Sequence, residues 1–248
     1  MTDIKTAIIL AAGRGTRLKN MTENMPKPMV NVNGKSIISK LTEHLINNGI
    51  NKIVVLVGYM ADSLKEHLKE YESTVDIVFI ENNIYDTTNN IYTLWLAKDY
   101  LKNGFYLFEA DIFCENDIIK NLLSDSRDNI MLVGKFTSLM NGTVISHKNN
   151  SEEVDKMYLK KEQINNFDYS DKYKTVNFYK IGADFVNTFF LQKLDEHINK
   201  KDTNSYYELI IKEAIDKGHT FYSIKINELN WWEIDNQEDL EIAEEIFK

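Results

Sequence analysis

Very little in this chain breaks it, cross-links it or anchors it. Cys114 is the only cysteine, so no disulfide can form within the chain, and a reducing compartment suits it. There are two prolines, Pro26 and Pro28, both in one short stretch, and ten glycines in 248 residues. Repeats, low-complexity tracts and linkers are missing. The apolar run Ala7 to Ala12 is too short for a spanning or signal segment, and the expected location is the cytoplasm. Positive charge is also scarce: 29 Lys and Arg against 38 Asp and Glu give a formal net charge of -9. That balance disfavours nucleic acid and anionic membrane as partners, because both repel an acidic chain at long range. It does not exclude a small anion held in a local basic pocket. The five histidines show no ligand spacing and read as surface or core residues.

What is present is an ordinary globular composition, 43% hydrophobic and 27% charged, with strong periodicity. Strands are expected at Thr6 to Ala12, Lys52 to Val57, Val75 to Ile80 and Phe105 to Ala110. They alternate with helices at Ser36 to Asn48, Ala61 to Tyr71 and Asn89 to Leu101. Short apolar strands alternating with helices predict a parallel sheet with right-handed crossovers. After about Ile130 the pattern changes. Ile130 to Phe136, Gly142 to His147, Val154 to Leu159 and Tyr173 to Ile181 read as strands, the first three in an antiparallel arrangement. Helices follow at Ala183 to Ile198 and Tyr206 to Asp216, late strands at Thr220 to Ile226 and Trp231 to Ile234, and a closing helix at Asn236 to Phe247. The expected fold is α/β: a Rossmann-like mixed, mostly parallel sheet flanked by helices, with a small inserted β-rich part. One domain over 1–248 is expected, with a nucleotide-binding part at about 1–130, a substrate-binding part at about 131–230 and a returning strand and helix at 231–248.

The first strand ends in Leu10-Ala-Ala-Gly-Arg-Gly-Thr-Arg-Leu18. Gly13 and Gly15 there permit unusual backbone angles and let amide groups approach phosphate oxygens, while Arg14 and Arg17 can add charge-assisted bonds. Ligands of open α/β sheets sit at this end of the strands. A dinucleotide fingerprint would need a glycine near Leu18, and a Walker loop would need Gly-Lys-Ser/Thr, so neither applies. Two glycines after a strand also fit an ordinary tight turn. Lys27 lies between prolines in Met25-Pro-Lys-Pro-Met29, which fix the local backbone and pre-position one cation.

Leu10 to Leu18 together with Pro26-Lys27-Pro28 closely resembles the nucleotidyltransferase family that activates sugar phosphates and small phospho-alcohols. Asp111 in Glu109-Ala-Asp-Ile-Phe113 and Asp235 in Trp232-Glu-Ile-Asp-Asn236 fall where that family places metal ligands. Within the family the chain is similar to small cytidylyltransferases acting on phosphocholine or on phosphonates such as 2-aminoethylphosphonate. Thr87-Thr-Asn-Asn-Ile-Tyr-Thr93, Met140-Asn-Gly-Thr-Val144, Tyr173-Lys-Thr-Val-Asn-Phe-Tyr179, Tyr206-Tyr-Glu208 and Trp231-Trp-Glu-Ile-Asp235 carry that likeness. One departure is Asn141, where an acidic residue is expected after Met140.

The resemblance implies in-line attack of a phosphate or phosphonate oxygen on the α-phosphorus of CTP, releasing pyrophosphate. The nucleophile is already anionic, so no general base is needed, and cations must bring the two anions together. Lys27 would neutralise the α-phosphate and Arg17 hold the β- or γ-phosphate. Asp111, Asp235 and Glu233 would bind Mg²⁺, though Asp235 fits equally as the cap of the last helix with Glu238 as its capping-box partner. The nucleotide would lie against Leu10, Ala11, Ala12, Gly13, Arg14, Gly15 and Thr16, with Gly58, Tyr59, Asn82, Asn89 and Asn90 as neighbours. One of the last two asparagines is also expected to cap the following helix. For the acceptor the candidates are Lys135, Lys174 and Asn177 at its phosphorus oxygens, Asn141 and Glu208 at a primary ammonium, and Tyr92, Trp95, Tyr206, Tyr207, Trp231 and Trp232 as a cation–π wall. Such aromatics also fit simply as core. The alternatives are a phosphocholine acceptor, a sugar 1-phosphate with another nucleoside triphosphate, and a non-catalytic nucleotide-binding subunit. A monomer or homodimer is expected.

Overall fold

The computed structural model describes residues 4–149, 151–226 and 228–248. Four strands form the parallel part of the main sheet: β1 (Thr6–Ala11), β4 (Lys52–Val57), β5 (Asp76–Glu81) and β6 (Phe105–Glu109), in the spatial order β6-β1-β4-β5. The first three crossovers run through α1 (Ile37–Asn47), α2 (Ala61–Leu68) and α3 with α4 (Asn90–Leu96, Lys98–Leu101). Between β1 and α1 a small hairpin, β2 (Asn31–Val32) and β3 (Lys35–Ser36), turns the chain.

The β-rich residues after 130 extend this same sheet. The long strand β11 (Tyr173–Ile181) runs antiparallel to β6 through Phe178–Ile181 and to β9 (Val144–His147) through Tyr173–Lys174. Its other edge pairs antiparallel with β8 (Ile130–Lys135). β9 carries β10 (Val154–Tyr158) antiparallel, whereas β12 (Tyr222–Lys225) joins β8 parallel. Nine strands thus share one sheet, and the two halves of the chain meet at the β6–β11 pair.

Adjacent residues on a strand face opposite ways, and the core follows that rule. Ile9, Ile53 and Val55 pack on α1, α2 and α5 (Asn116–Ser124). Ile8, Val54 and Leu56 face the other layer. That layer holds α3, α7 (Leu191–Asn199) and α8 (Glu208–Asp216). The single long helix expected from Ala183 begins as α6 (Ala183–Phe185), widens into a π-helical stretch at Val186–Phe190, and only then continues as α7. Helix α5 has no counterpart in the sequence reading, although Ile118, Ile119 and Leu122 lie on one buried face of it.

A second feature was also not foreseen. β7 (Ile112–Cys114) leaves the main sheet and forms an antiparallel ribbon with β13 (Trp231–Glu233), aligning Glu233 with Ile112. Helix α9 (Gln237–Ile246) follows, packing Leu240 and Ala243 against Leu18, Val30, Phe113 and Ile234. Its cap is Asn236, not Asp235: Asn236 Oδ1 accepts from the amides of Glu238 at 2.8 Å and Asp239 at 3.2 Å. The capping-box partner is Asp239, whose Oδ2 accepts from the Asn236 amide at 3.1 Å, rather than Glu238. The Asp235 carboxylate is therefore free of capping. Asn236→Ala should cost about 1 kcal/mol; an unchanged thermal midpoint would remove the cap from the account. Among the described residues no helix is long and apolar enough to cross a membrane.

Candidate active site

At the C-terminal ends of β1 and β6, beside the N-terminal half of the antiparallel β11, the structure opens into a cavity of about 1020 Å³. That is the size of a pocket for a drug-sized ligand or larger, enough for a nucleotide and a small second molecule. One wall is the loop after β1. Gly15 sits at φ 68°, the left-handed region, and a Cβ there would lie 2.7 Å from Lys27 Cβ. Any side chain would be both strained and in collision, so glycine is required. Gly13 has ordinary φ and open space around it, so its smallness serves access rather than conformation. A 3₁₀ turn, Thr16–Thr22, follows, and the Thr22 hydroxyl donates to Gly15 O at 3.0 Å. Tyr59 buttresses this turn by donating to Thr22 O and Glu23 O at 2.9 and 2.8 Å, with the Arg14 guanidinium over its ring.

Lys27 projects from the 3₁₀ turn Lys27–Met29, whose entry and second residue are Pro26 and Pro28. Its Nζ lies 2.8 Å from Asp111 Oδ2 and 2.8 Å from Asp235 Oδ1. Arg17 Nη2 reaches the same Asp235 oxygen at 2.7 Å. Burial works to lower the Lys27 pKa, but the two carboxylates outweigh it and hold the ammonium above its ordinary value. Burial likewise works to raise Asp235, and Lys27 and Arg17 overcome it to hold that carboxyl below its usual range. Asp111 arrives just past β6; Asp235 and Glu233 arrive on the β13 side of the ribbon.

Asp111, Glu233 and Asp235 each present an oxygen within 4.8 Å of the others. Asp111 Oδ1 is buried without a hydrogen-bond partner. A buried carboxylate oxygen left unpaired is costly, and three hard oxygen donors so close together fit a divalent cation such as Mg²⁺.

The far wall is built on β11. Its register slips against β8 between Thr175 and Tyr179, and Asn177 takes φ 60° in the bulge. Bulges re-aim side chains, and here Lys174 and Asn177 both line the cavity. Lys174 is buried, donating to Glu233 Oε2 at 3.0 Å and Thr175 O at 2.8 Å. Burial pulls its pKa down, but Glu233 and neighbouring carboxylates hold it above normal. Gly134 lies beneath: a Cβ there would sit 2.7 Å from the Trp231 ring.

The expected site residues divide clearly. Leu10, Ala11, Ala12, Gly13, Gly15, Thr16, Arg17, Lys27, Asn89, Asn90, Asp111, Asn141, Lys174, Asn177, Tyr206, Glu208, Glu233 and Asp235 all line the cavity. Asn89 is also the cap of α3, accepting from the Asn90 amide, while Asn90 Oδ1 accepts from the Tyr207 amide at 2.9 Å. Trp231 and Trp232 line a smaller neighbouring pocket with Asn141, Lys174 and Asp235. Others are elsewhere. Asn82 is buried and braces its loop through Thr88, Thr93 and the Ile84 amide. Gly58 packs against Ala12 O and Tyr85. Tyr92 stacks on Trp95, whose indole donates to Asp195 in the helical layer. Lys135 is exposed at the end of β8. Arg14 and Tyr59 pack on each other outside the cavity lining.

Residues that the sequence reading passed over complete the wall. Glu109, the last residue of β6, accepts from Tyr207 Oη at 2.9 Å and Asn177 Nδ2 at 3.3 Å. Burial pushes its carboxyl well above the carboxylate range, and the charges of Asp111, Glu208 and Glu233 push it further. Thr143 donates to Glu208 at 3.1 Å. The clue to Glu109 was its place: it ends β6 two residues before Asp111.

A family model described as nucleotidyl transferase matches residues 6–241. The CTP:phosphoglutamine cytidylyltransferase of Campylobacter jejuni is 31% identical over 95% of this chain and 98% of its own length. The CMP-5'-(3-aminopropyl)phosphonate synthase of Streptomyces rubellomurinus is 26% identical over 94% of this chain, which spans only 37% of that relative. Among solved structures, the CTP:phosphocholine cytidylyltransferase of Streptococcus pneumoniae superposes with a TM-score of 0.79 at 27% identity, covering 99% of this chain and 100% of that one.

Proposed function

From a chain that belongs to the nucleotidyl transferase family, we propose a cytidylyltransferase that moves CMP from CTP to 2-aminoethylphosphonate or a close phosphonate, releasing pyrophosphate. The observation that carries this reading is the convergence of the glycine loop, Lys27, Arg17, Asp111 and Asp235 at one end of the parallel strands. Two anions about 4 Å apart repel by about 4 kcal/mol at an effective dielectric near 20. Lys27 and Arg17 supply the charge that offsets this. Lys27 would swing from the carboxylates to the α-phosphate, and Arg17 to the β- or γ-phosphate. The acceptor oxygen is already an anion. It attacks the α-phosphorus in line, the bond to the bridging oxygen breaks, and pyrophosphate leaves without a proton transfer. Asp111 and Asp235, with Glu233 beside them, would hold Mg²⁺, which when bound neutralises charge on the triphosphate. Leu10 to Thr16, Asn89 and Asn90 would receive the nucleotide, and Asn141, Lys174, Asn177 and Glu208 the acceptor. On this reading the residues from 4 to about 130 serve the donor and those from about 131 to 230 the acceptor.

A second reading, transfer to phosphocholine, is favoured by the structural likeness to the pneumococcal phosphocholine enzyme. Pyrophosphate release should be measured with four triphosphates crossed against 2-aminoethylphosphonate, phosphocholine, phosphoethanolamine and glucose 1-phosphate, with and without Mg²⁺. Release with CTP, an amino-phosphorus acceptor and Mg²⁺ is expected. Silence in every CTP arm would refute the proposal.

A further inference from the structure

The segment joining α7 to α8 laces two walls of the cavity together. α7 ends at Asn199, and the chain turns away through Lys201 at φ 62°. That left-handed position after a helix usually falls to glycine, and a lysine persists there only where neighbours hold it. Two backbone bonds close the turn: Lys201 N donates to Ile198 O and Asp202 N to His197 O, both at 2.9 Å. Side chains add a third fastening. Asp202 Oδ2 accepts from His197 Nδ1 at 2.7 Å, and Ser205 Oγ donates to the same carboxylate, 2.9 Å from each oxygen. Burial works to raise this carboxyl, but His197, Ser205 and Lys161 hold it below its usual range. Beyond Asp202 the segment meets α3. Thr203 O accepts from the Asn89 amide at 2.9 Å and Ser205 O from the Ile91 amide at 3.4 Å. Asn90 Oδ1 accepts in return from the Tyr207 amide at 2.9 Å. Amides at the entry of a helix have no partner within it, so the entry of α3 depends on this distant segment.

We infer that Asp202 is a positioning residue for nucleotide binding: by fastening His197 to Ser205 it sets the Thr203 and Ser205 carbonyls that fix the entry of α3, and with it Asn89 and Asn90. The inference rests on the reading above in which those two asparagines receive the nucleotide. Both line the cavity, as do Ser205 and Tyr206, whereas Asp202 does not. Its effect therefore passes through the segment and not through contact with a ligand. α7 is a firm anchor for this arrangement, because Asp195 on it accepts from the Trp95 indole near the far end of α3 at 2.7 Å. α3 is thus held to α7 and its tail at both ends. A shift at the entry of α3 moves both asparagines together, and a small misplacement of a positioning group costs a site much of its effect. The effect belongs to binding, since Lys27, Asp111 and Asp235 stand on other elements.

The test compares wild type, Asp202→Ala and Asp202→Asn. Hydrogen exchange at the Asn89 and Ile91 amides, calorimetric binding of CTP and pyrophosphate release are all read on the intact protein. Asp202→Ala should speed exchange at both amides by about tenfold or more. It should raise Kd and KM for CTP by about tenfold while kcat stays within about threefold of wild type. Asp202→Asn should recover most of this. Ser205 Oγ is 2.9 Å from either carboxylate oxygen, so a single amide oxygen can accept from both Ser205 and His197. A lowered melting midpoint with KM for CTP unmoved would overturn the inference. Unchanged exchange at Asn89 and Ile91 in Asp202→Ala would do the same, as would no recovery in Asp202→Asn. If the wild type binds CTP but releases no pyrophosphate, the transfer reading fails while exchange and calorimetry still decide the role of Asp202. A wild type that binds no CTP overturns both. Should Asp202→Ala not fold, His197→Ala, which removes one of the two groups that Asp202 joins, carries the same comparison.

Discussion

Pyrophosphate release by Lys27→Ala and by Asp111→Ala should each fall by about 10²–10³-fold, the size of effect seen when one preorganised charge or donor is removed from a reacting centre. The two variants should differ in stability. Removing Lys27 leaves Asp111 and Asp235, which it bridges at 2.8 Å each, facing one another with only the exposed Arg17 as counter-charge. Removing Asp111 leaves Lys27 still paired with Asp235. Lys27→Ala should therefore melt earlier than wild type, while Asp111→Ala should melt near it. Circular dichroism would establish the fold in both. Near-normal rates in either variant would take that residue out of the mechanism.

The largest expected loss of stability is at Lys174. Its side chain is 2% exposed, and its ammonium is spent on Glu233 and a backbone carbonyl. Breaking a buried pair from one side leaves an uncompensated charge, at a cost of about 3–5 kcal/mol. For a chain of this length that lowers the melting midpoint by about 10 °C. Lys174→Met keeps the stem's volume and isolates the charge. The double variant Lys174→Met with Glu233→Gln should recover much of the midpoint, because the orphaned carboxylate goes too. Equal midpoints for Lys174→Met and wild type would show that Lys174 does not offset the carboxylates around it.

Much of the architecture was legible because hydrophobic periodicity and sheet geometry speak directly to each other. Lys52–Val57 lies where its apolar run predicts, since a strand buried on both faces is a nearly continuous apolar run. What escaped was either short or dependent on distant partners. Ile112–Cys114 has three residues, too few for a period, so its pairing with the expected strand at Trp231 could not be read. The wall of Lys174 and Asn177 depends on a bulge that no local pattern announces. Gly13 and Gly15 read alike in sequence, yet only Gly15 takes a left-handed φ. The asparagines show the same limit: Asn82, Asn89 and Asn90 are equivalent by composition, but Asn82 is spent on its own loop. Glu109 was passed over because an acid at a strand end reads as solvated until Tyr207 and Asn177 are seen closing over it.

The ribbon also sets a clock. As the chain emerges during synthesis, β1, β4, β5 and β6 can pair and bury their core while Trp231–Glu233 is still unmade. The loop and Asp111 would then exist without Asp235. Only when β13 reaches β7 and α9 docks on Leu18, Val30 and Phe113 do the three carboxylates come together. Without residues 231–248 the strands of the main sheet would all be present, but Asp111 would stand without Glu233 and Asp235.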